Sequence, residues 1–175
     1  PVGYQKHTGT LSITNMSIAD DRPLPDYSLN ESNNLSVMFN LNSAVNPLPL
    51  TLTGSLGYTG NSAYRPLYDA ALNPLGRDEI TTGITMLNMA GTYKWFRDKR
   101  LATSAGFGYL GSANGEADAY EIDNNKFSLK FEIDYKLNSV TTFGGQLRFI
   151  SYTDNANSVN DYTEPILGAT VRAGF

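Results

Sequence analysis

The sequence predicts an all-β fold, an eight-stranded antiparallel up-and-down transmembrane β-barrel. Three observations predict it. Apolar residues recur at every second position, which is strand and not helix periodicity. The alternating segments run about 9–11 residues, the length a tilted strand needs to cross a membrane. The connectors between them alternate between short and long, as in barrels with two different ends.

The clearest segment is Phe127 to Lys136. One face carries Phe127, Leu129, Phe131, Ile133 and Tyr135, and the other Ser128, Lys130, Glu132, Asp134 and Lys136. Seven further segments read the same way. Thr8 to Ser17 carries Leu11 and Ile13; Asn34 to Leu41 carries Leu35, Val37 and Phe39; Leu50 to Tyr58 carries Leu52 and Leu56. Thr85 to Trp95 carries Leu87, Met89 and Tyr93, and Leu101 to Tyr109 carries Phe107. Thr142 to Tyr152 carries Phe143, Leu147 and Phe149, and Pro165 to Phe175 carries Leu167 and Val171. Met16 and Met86 fall on the polar face, which predicts a bulge or a shifted boundary in the first and fourth segments.

The short connectors are Asn42 to Pro49, Phe96 to Arg100 and Asn138 to Val140. The long ones are Ile18 to Asn33, Thr59 to Glu79, Gly111 to Asn125 and Thr153 to Glu164. An even strand number puts both termini at the short-connector end.

Composition narrows the class. A chain of 175 residues suits one domain spanning 1–175. It opens on Pro-Val-Gly and not on methionine, which leaves open that it is the C-terminal part of a longer barrel. No cysteine is present and His7 is the one histidine, so thiolate and imidazole metal clusters are excluded. A net charge of −4 gives no footprint for nucleic acid. The longest strictly apolar run is three residues, so no membrane helix is encoded.

Which face points outward is a separate question, because a soluble barrel would bury Phe127, Leu129 and Phe131. Five of the eight polar faces are mainly Thr, Ser, Gly and Asn, and only 17% of the chain is charged. A water-facing surface normally carries about 25–35% charged residues. Aromatic residues sit at segment ends: Tyr93, Trp95, Phe96, Tyr135, Phe143 and Phe175 at one, Tyr58, Tyr109, Phe127 and Tyr152 at the other. Two such girdles are expected where a barrel meets both membrane interfaces.

The chain ends Val171-Arg172-Ala173-Gly174-Phe175. A terminal Phe preceded by apolar residues at alternate positions resembles the last strand of bacterial outer-membrane β-barrel proteins, with an architecture similar to the small OmpA and OmpX class. The resemblance implies a bacterial outer-membrane location, contact with its lipid and lipopolysaccharide, and recognition of Val171 and Phe175 by the barrel-assembly machinery.

With the apolar faces outward, the lumen receives Lys94, Lys130, Glu132, Asp134, Lys136, Arg148 and Arg172. Sequential neighbours should let Glu132 and Asp134 face Arg148, and Arg148 face Arg172. Two readings are open: an ion-pair network that fills the barrel, or a charged constriction that passes small solutes. The long connectors hold 14 of the 17 acidic residues and three arginines. They form a solvated acidic surface or, around Glu116, Asp118, Glu121 and Asp123, a divalent-cation site. The third connector, with Tyr64 and Tyr68, packs on itself or folds over the mouth to bind partners. His7 has no evident serine or aspartate beside it, and no Gly-x-Ser-x-Gly occurs. The expectation is a non-enzyme without a cofactor, with a structural or surface-binding role; passive solute transport is the alternative, and a lipid-modifying enzyme a remoter one.

Overall fold

A computed structural model describes residues 6–19, 32–114 and 121–173. Eight strands follow in order: β1 (Lys6–Ile18), β2 (Ser32–Val45), β3 (Leu50–Tyr68), β4 (Pro74–Trp95), β5 (Leu101–Ala113), β6 (Asp123–Lys136), β7 (Thr141–Asp154) and β8 (Tyr162–Ala173). Each pairs antiparallel with the next, giving one eight-stranded meander sheet. Among the described residues no ladder joins β1 to β8. The period-two pattern fixes the register, because a one-residue slip would exchange the two faces of every strand.

Apolar side chains stand on the outer face. Leu129, Phe131 and Ile133 remain 45%, 48% and 50% exposed, while Ile150 on the opposite face is the one buried large hydrophobic residue among those described. The accessible surface is 12262 Å², against about 8,400 Å² for a compact soluble monomer of 19.1 kDa. The conventional arrangement of apolar inside and polar outside does not hold in this chain.

The ladders align outer-face residues into rows. Trp95, Leu101, Tyr135, Phe143 and Val171 are successive cross-strand partners near the short turns. Tyr109 and Phe127 form a second aromatic pair near the long connectors, with ring centroids 4.9 Å apart. Eight residues of β6 separate Phe127 from Tyr135, about 26 Å along the strand before tilt.

Two expectations about detail are corrected. Thr59 to Glu79 is not a loop. β3 and β4 continue through it as a hairpin, with Tyr64 opposite Glu79 and a shift of register between Leu67 and Tyr68. Among the described residues, β3 pairs with β2 as far as Ala63 and β4 pairs with β5 from Gly83 onward, while β3 and β4 stay paired to each other out to Tyr68 and Pro74. Its tip is held by Asp69, whose carboxylate accepts from the backbone N–H of Ala71 and Asn73, both at 2.8 Å. Met16 and Met86 cause no bulge. Their ladders run without a shift, and both methionines occupy the polar face as regular strand residues.

Candidate functional site

The inner face is concave. Residues from β1 through β7, including Thr8, Asn40, Ser55, Asn88, Lys130 and Arg148, line one cavity of 640 Å³. The register stacks its side chains in layers. One layer runs Thr10, Asn40, Ser55, Asn88, Gly108 and Ser128. Short polar groups join across it, as in the bond from Asn88 Nδ2 to Ser55 Oγ at 3.3 Å. A Cβ at position 108 would lie 2.7 Å from Ser128 Oγ and 3.0 Å from Asn88 Oδ1, so those side chains would have to shift to admit one.

One layer nearer the long connectors, the inner face turns apolar. Met38, Gly57, Met86 and Leu110 are consecutive partners, and the row continues through Lys126 to Tyr152 and Tyr162. The two tyrosines stack with centroids 5.3 Å apart. A Cβ on Gly57 would meet Met86 Cε at 3.3 Å and Met38 Cε at 3.7 Å, so both methionines lean over that glycine. Sequence reading missed this belt because it treated Met86 as an irregularity; the signal was the shared parity of Met38, Met86 and Leu110.

The seven charged residues that the sequence assigned to the inner face fall into separate groups. Lys130 Nζ lies 2.8 Å from Glu132 Oε1 along β6. Arg148 stands directly opposite Lys130, and Glu132 opposite Gln146, so Arg148 is a diagonal neighbour of Glu132. Asp134 reaches over β7 to Arg172, at 4.0 Å from a terminal guanidinium nitrogen. Arg148 and Arg172 do not meet, since their partners are Lys130 and Thr142 on one side and Arg172 sits six positions past Ile166, which faces Arg148. Lys94 and Lys136 join Arg172 and Asp134 around a second cavity of 390 Å³ at the short-turn end. These ion pairs are partly exposed, which limits each to about 0–1 kcal/mol.

The short β4–β5 turn holds two non-glycine residues in left-handed backbone, Phe96 at φ 64° and Lys99 at φ 55°. Each costs about 1–2 kcal/mol. Asp98 offsets part of this by accepting from Arg100 Nε at 2.8 Å and from the Arg100 N–H at 3.3 Å.

His7 does have a serine beside it. Its Nδ1 lies 2.8 Å from Ser43 Oγ, because the β1–β2 register places the two residues directly opposite, 36 positions apart in sequence. Spacing alone hides such a pair. Ser43 is only 6% exposed, on a strand paired along both edges. Its neighbouring N–H groups belong to the ladders on both sides. The contact satisfies a buried hydroxyl.

Of the acidic connectors, Glu116 and Asp118 lie outside the described residues, as do the first connector from 20 to 31 and the terminal Phe175. Val171 is 67% exposed on the outer face. In the seventh connector the carboxylates are engaged by the chain itself. Asp154 accepts from the N–H groups of Ala156 and Asn157 and from Asn160 Nδ2 at 2.7 Å, and Asp161 accepts from the Asp154 N–H at 2.7 Å. These bonds hold the Asp154 carboxyl below its ordinary range, with the Asn160 amide as the largest cause. Among the described residues no three acidic or histidine side chains gather as a metal site.

The chain matches no protein-family model, no curated protein and no solved structure.

Proposed function

We propose that this chain is a non-enzymatic integral β-barrel of the bacterial outer membrane, closed between β1 and β8, with a largely filled polar lumen and acidic external loops. Its role on this reading is structural or surface-binding, with membrane lipid and lipopolysaccharide around it and the barrel-assembly machinery reading its last strand. The observation that carries the reading is the inverted distribution of apolar surface. Phe127, Leu129, Phe131, Ile133 and Tyr135 stand 42–50% exposed along one strand, while the opposite face is polar. In water, rows of this kind on neighbouring strands would drive aggregation; in lipid they are at rest. The row from Trp95 to Val171 and the pair Tyr109–Phe127 lie about 26 Å apart along the strand, about 20 Å along the membrane normal at a tilt of about 35–45°, close to the apolar band of about 25 Å that such girdles flank. Closure follows from the same environment, because lipid offers no partner to the free edges of β1 and β8.

Gel electrophoresis with and without boiling tests this. A closed barrel in detergent migrates as a heat-shifted monomer. A chain that stays monodisperse in buffer without detergent, or that forms only edge-paired oligomers, overturns the reading.

The 640 Å³ cavity on the concave face favours one second reading, passive transport of small solutes. The apolar stretch Met38, Met86 and Leu110 stands against it, since an apolar lining disfavours water and ions, although Lys126 lies in the same row. Planar-bilayer recording separates the two: stable conductance steps from folded protein support transport, and silence supports a plugged lumen.

A further inference from the structure

The short-turn end of the concave face gathers cations from four stretches of chain. Lys94 comes from the end of β4, Lys99 and Arg100 from the β4–β5 turn, Lys136 from the end of β6 and Arg172 from β8. All five line the 390 Å³ cavity. The register explains its hollow floor. Lys94 is opposite Ala102, Ala102 opposite Asp134, and Asp134 opposite Gly144, so long side chains alternate with very short ones. The bond from the Lys136 N–H to the Arg100 carbonyl, at 2.8 Å, ties the turn to the end of β6 and holds both cations at one rim.

Two carboxylates share the cavity and each already holds a guanidinium: Asp98 with Arg100 at 2.8 Å and Asp134 with Arg172 at 4.0 Å. Lys94, Lys99 and Lys136 have no carboxylate partner among the described residues. The five cations that line this hollow outnumber its two carboxylates, which leaves an excess of positive charge around it. Lys99 is placed there by left-handed backbone that a non-glycine residue adopts only when its surroundings enforce it.

We propose that this cavity binds a multiply charged phosphate-type oxyanion, with Lys94, Lys99 and Lys136 as its ligands. Lysine is a compact point charge that suits phosphate without demanding the planar geometry of a carboxylate. The two arginines, held by Asp98 and Asp134, shape the walls. The cavity lies within the size range of small-molecule pockets, about 300–1,000 Å³. The proposal requires only the fold and not the membrane reading.

The chain carries its own reporter, since Trp95 is the one tryptophan and adjoins Lys94. Full-length protein in an uncharged detergent is titrated with pyrophosphate at constant ionic strength, following Trp95 emission and, in parallel, calorimetric heat. Saturable binding is expected. Lys94→Gln and Lys136→Gln should each weaken it about tenfold, the loss of one charge-assisted contact. Lys126→Gln, on the far side of the inner face, should leave it unchanged. If Lys94→Gln fails to fold, Lys99→Gln on the exposed turn provides the same test. Absence of saturable heat, or equal affinity in Lys126→Gln and the cavity variants, overturns the proposal. Where binding is found, doping the micelles with phosphatidylglycerol identifies the source. Competition assigns the site to a lipid headgroup, and its absence to a free phosphate compound.

Discussion

Asp134 and Arg172 sit on strands that are not neighbours, yet their charged groups approach to 4.0 Å. The strand between them, β7, presents Gly144 at that point, opposite both Asp134 and Thr170. The missing side chain is what lets β6 and β8 communicate across it.

Gly144→Ala should therefore destabilise the protein. The new Cβ would lie 2.6 Å from Asp134 Oδ1 and 2.5 Å from Thr170 Oγ1. Overpacking of this kind costs about 1–3 kcal/mol. Asp134→Asn should cost less, because the ion pair is partly solvated. Urea unfolding of the two variants in detergent gives the comparison; equal midpoints would show that Gly144 is not needed for clearance.

Phe131→Arg tests what the outer face touches. Near a bilayer midplane, an arginine on the lipid side costs about 2–4 kcal/mol. Phe131 is 48% exposed, so the same change in water should cost little. The readout is the folded fraction in bilayers across a urea series, with Ser128→Thr as an inner-face control.

Met38 and Met86 close the inner face over Gly57. Replacing both with serine should hydrate that layer. In the barrel reading the wild type is electrically silent in a planar bilayer and the double variant conducts. Conductance already present in the wild type, unchanged by the substitutions, would remove the belt as a barrier.

The seventh connector should loosen in acid. The Asp154 carboxyl is held below its ordinary value of 3.8, first by the Asn160 amide and then by the N–H groups of Asn157 and Ala156. The folded loop thus favours the charged form. Its contribution is complete above the ordinary value and drains as pH falls through the lowered one. Amide exchange at Ala156 and Asn157 should accelerate below about pH 4 relative to the strand interiors. Asp154→Asn should remove that pH dependence. The same holds at the hairpin tip, where the Asn73 side chain is the largest cause lowering Asp69.

All eight strands were legible in the sequence because alternation is a local signal: Phe127 to Tyr135 declares its face without reference to any other segment. What was not legible depends on register. The Met38–Met86–Leu110 belt exists only once three separate strands are aligned, and so does the pairing of His7 with Ser43. The β3–β4 hairpin was hidden for another reason. Pro66 and Pro74 read as loop chemistry, yet both stand within the β3–β4 ladder, opposite Arg77 and Tyr68. The charged inner-face residues were found by parity, but their partners were not, because small residues such as Gly144 decide which long side chains can meet.

The length of the β3–β4 hairpin has a consequence for what the molecule can meet. Nine residues of β4 separate Gly83, at the level where β5 joins, from Pro74 at the tip, about 30 Å of strand. The screening length in physiological salt is about 8 Å. The exposed Leu72 and Tyr68 therefore stand several screening lengths away from Asp123 and Asp154 at the rim. Asp69 lies between Tyr68 and Leu72 at the tip, so an approaching surface meets apolar area and a carboxylate together at this end of the hairpin, and the charges of Asp123 and Asp154 act only on what comes closer.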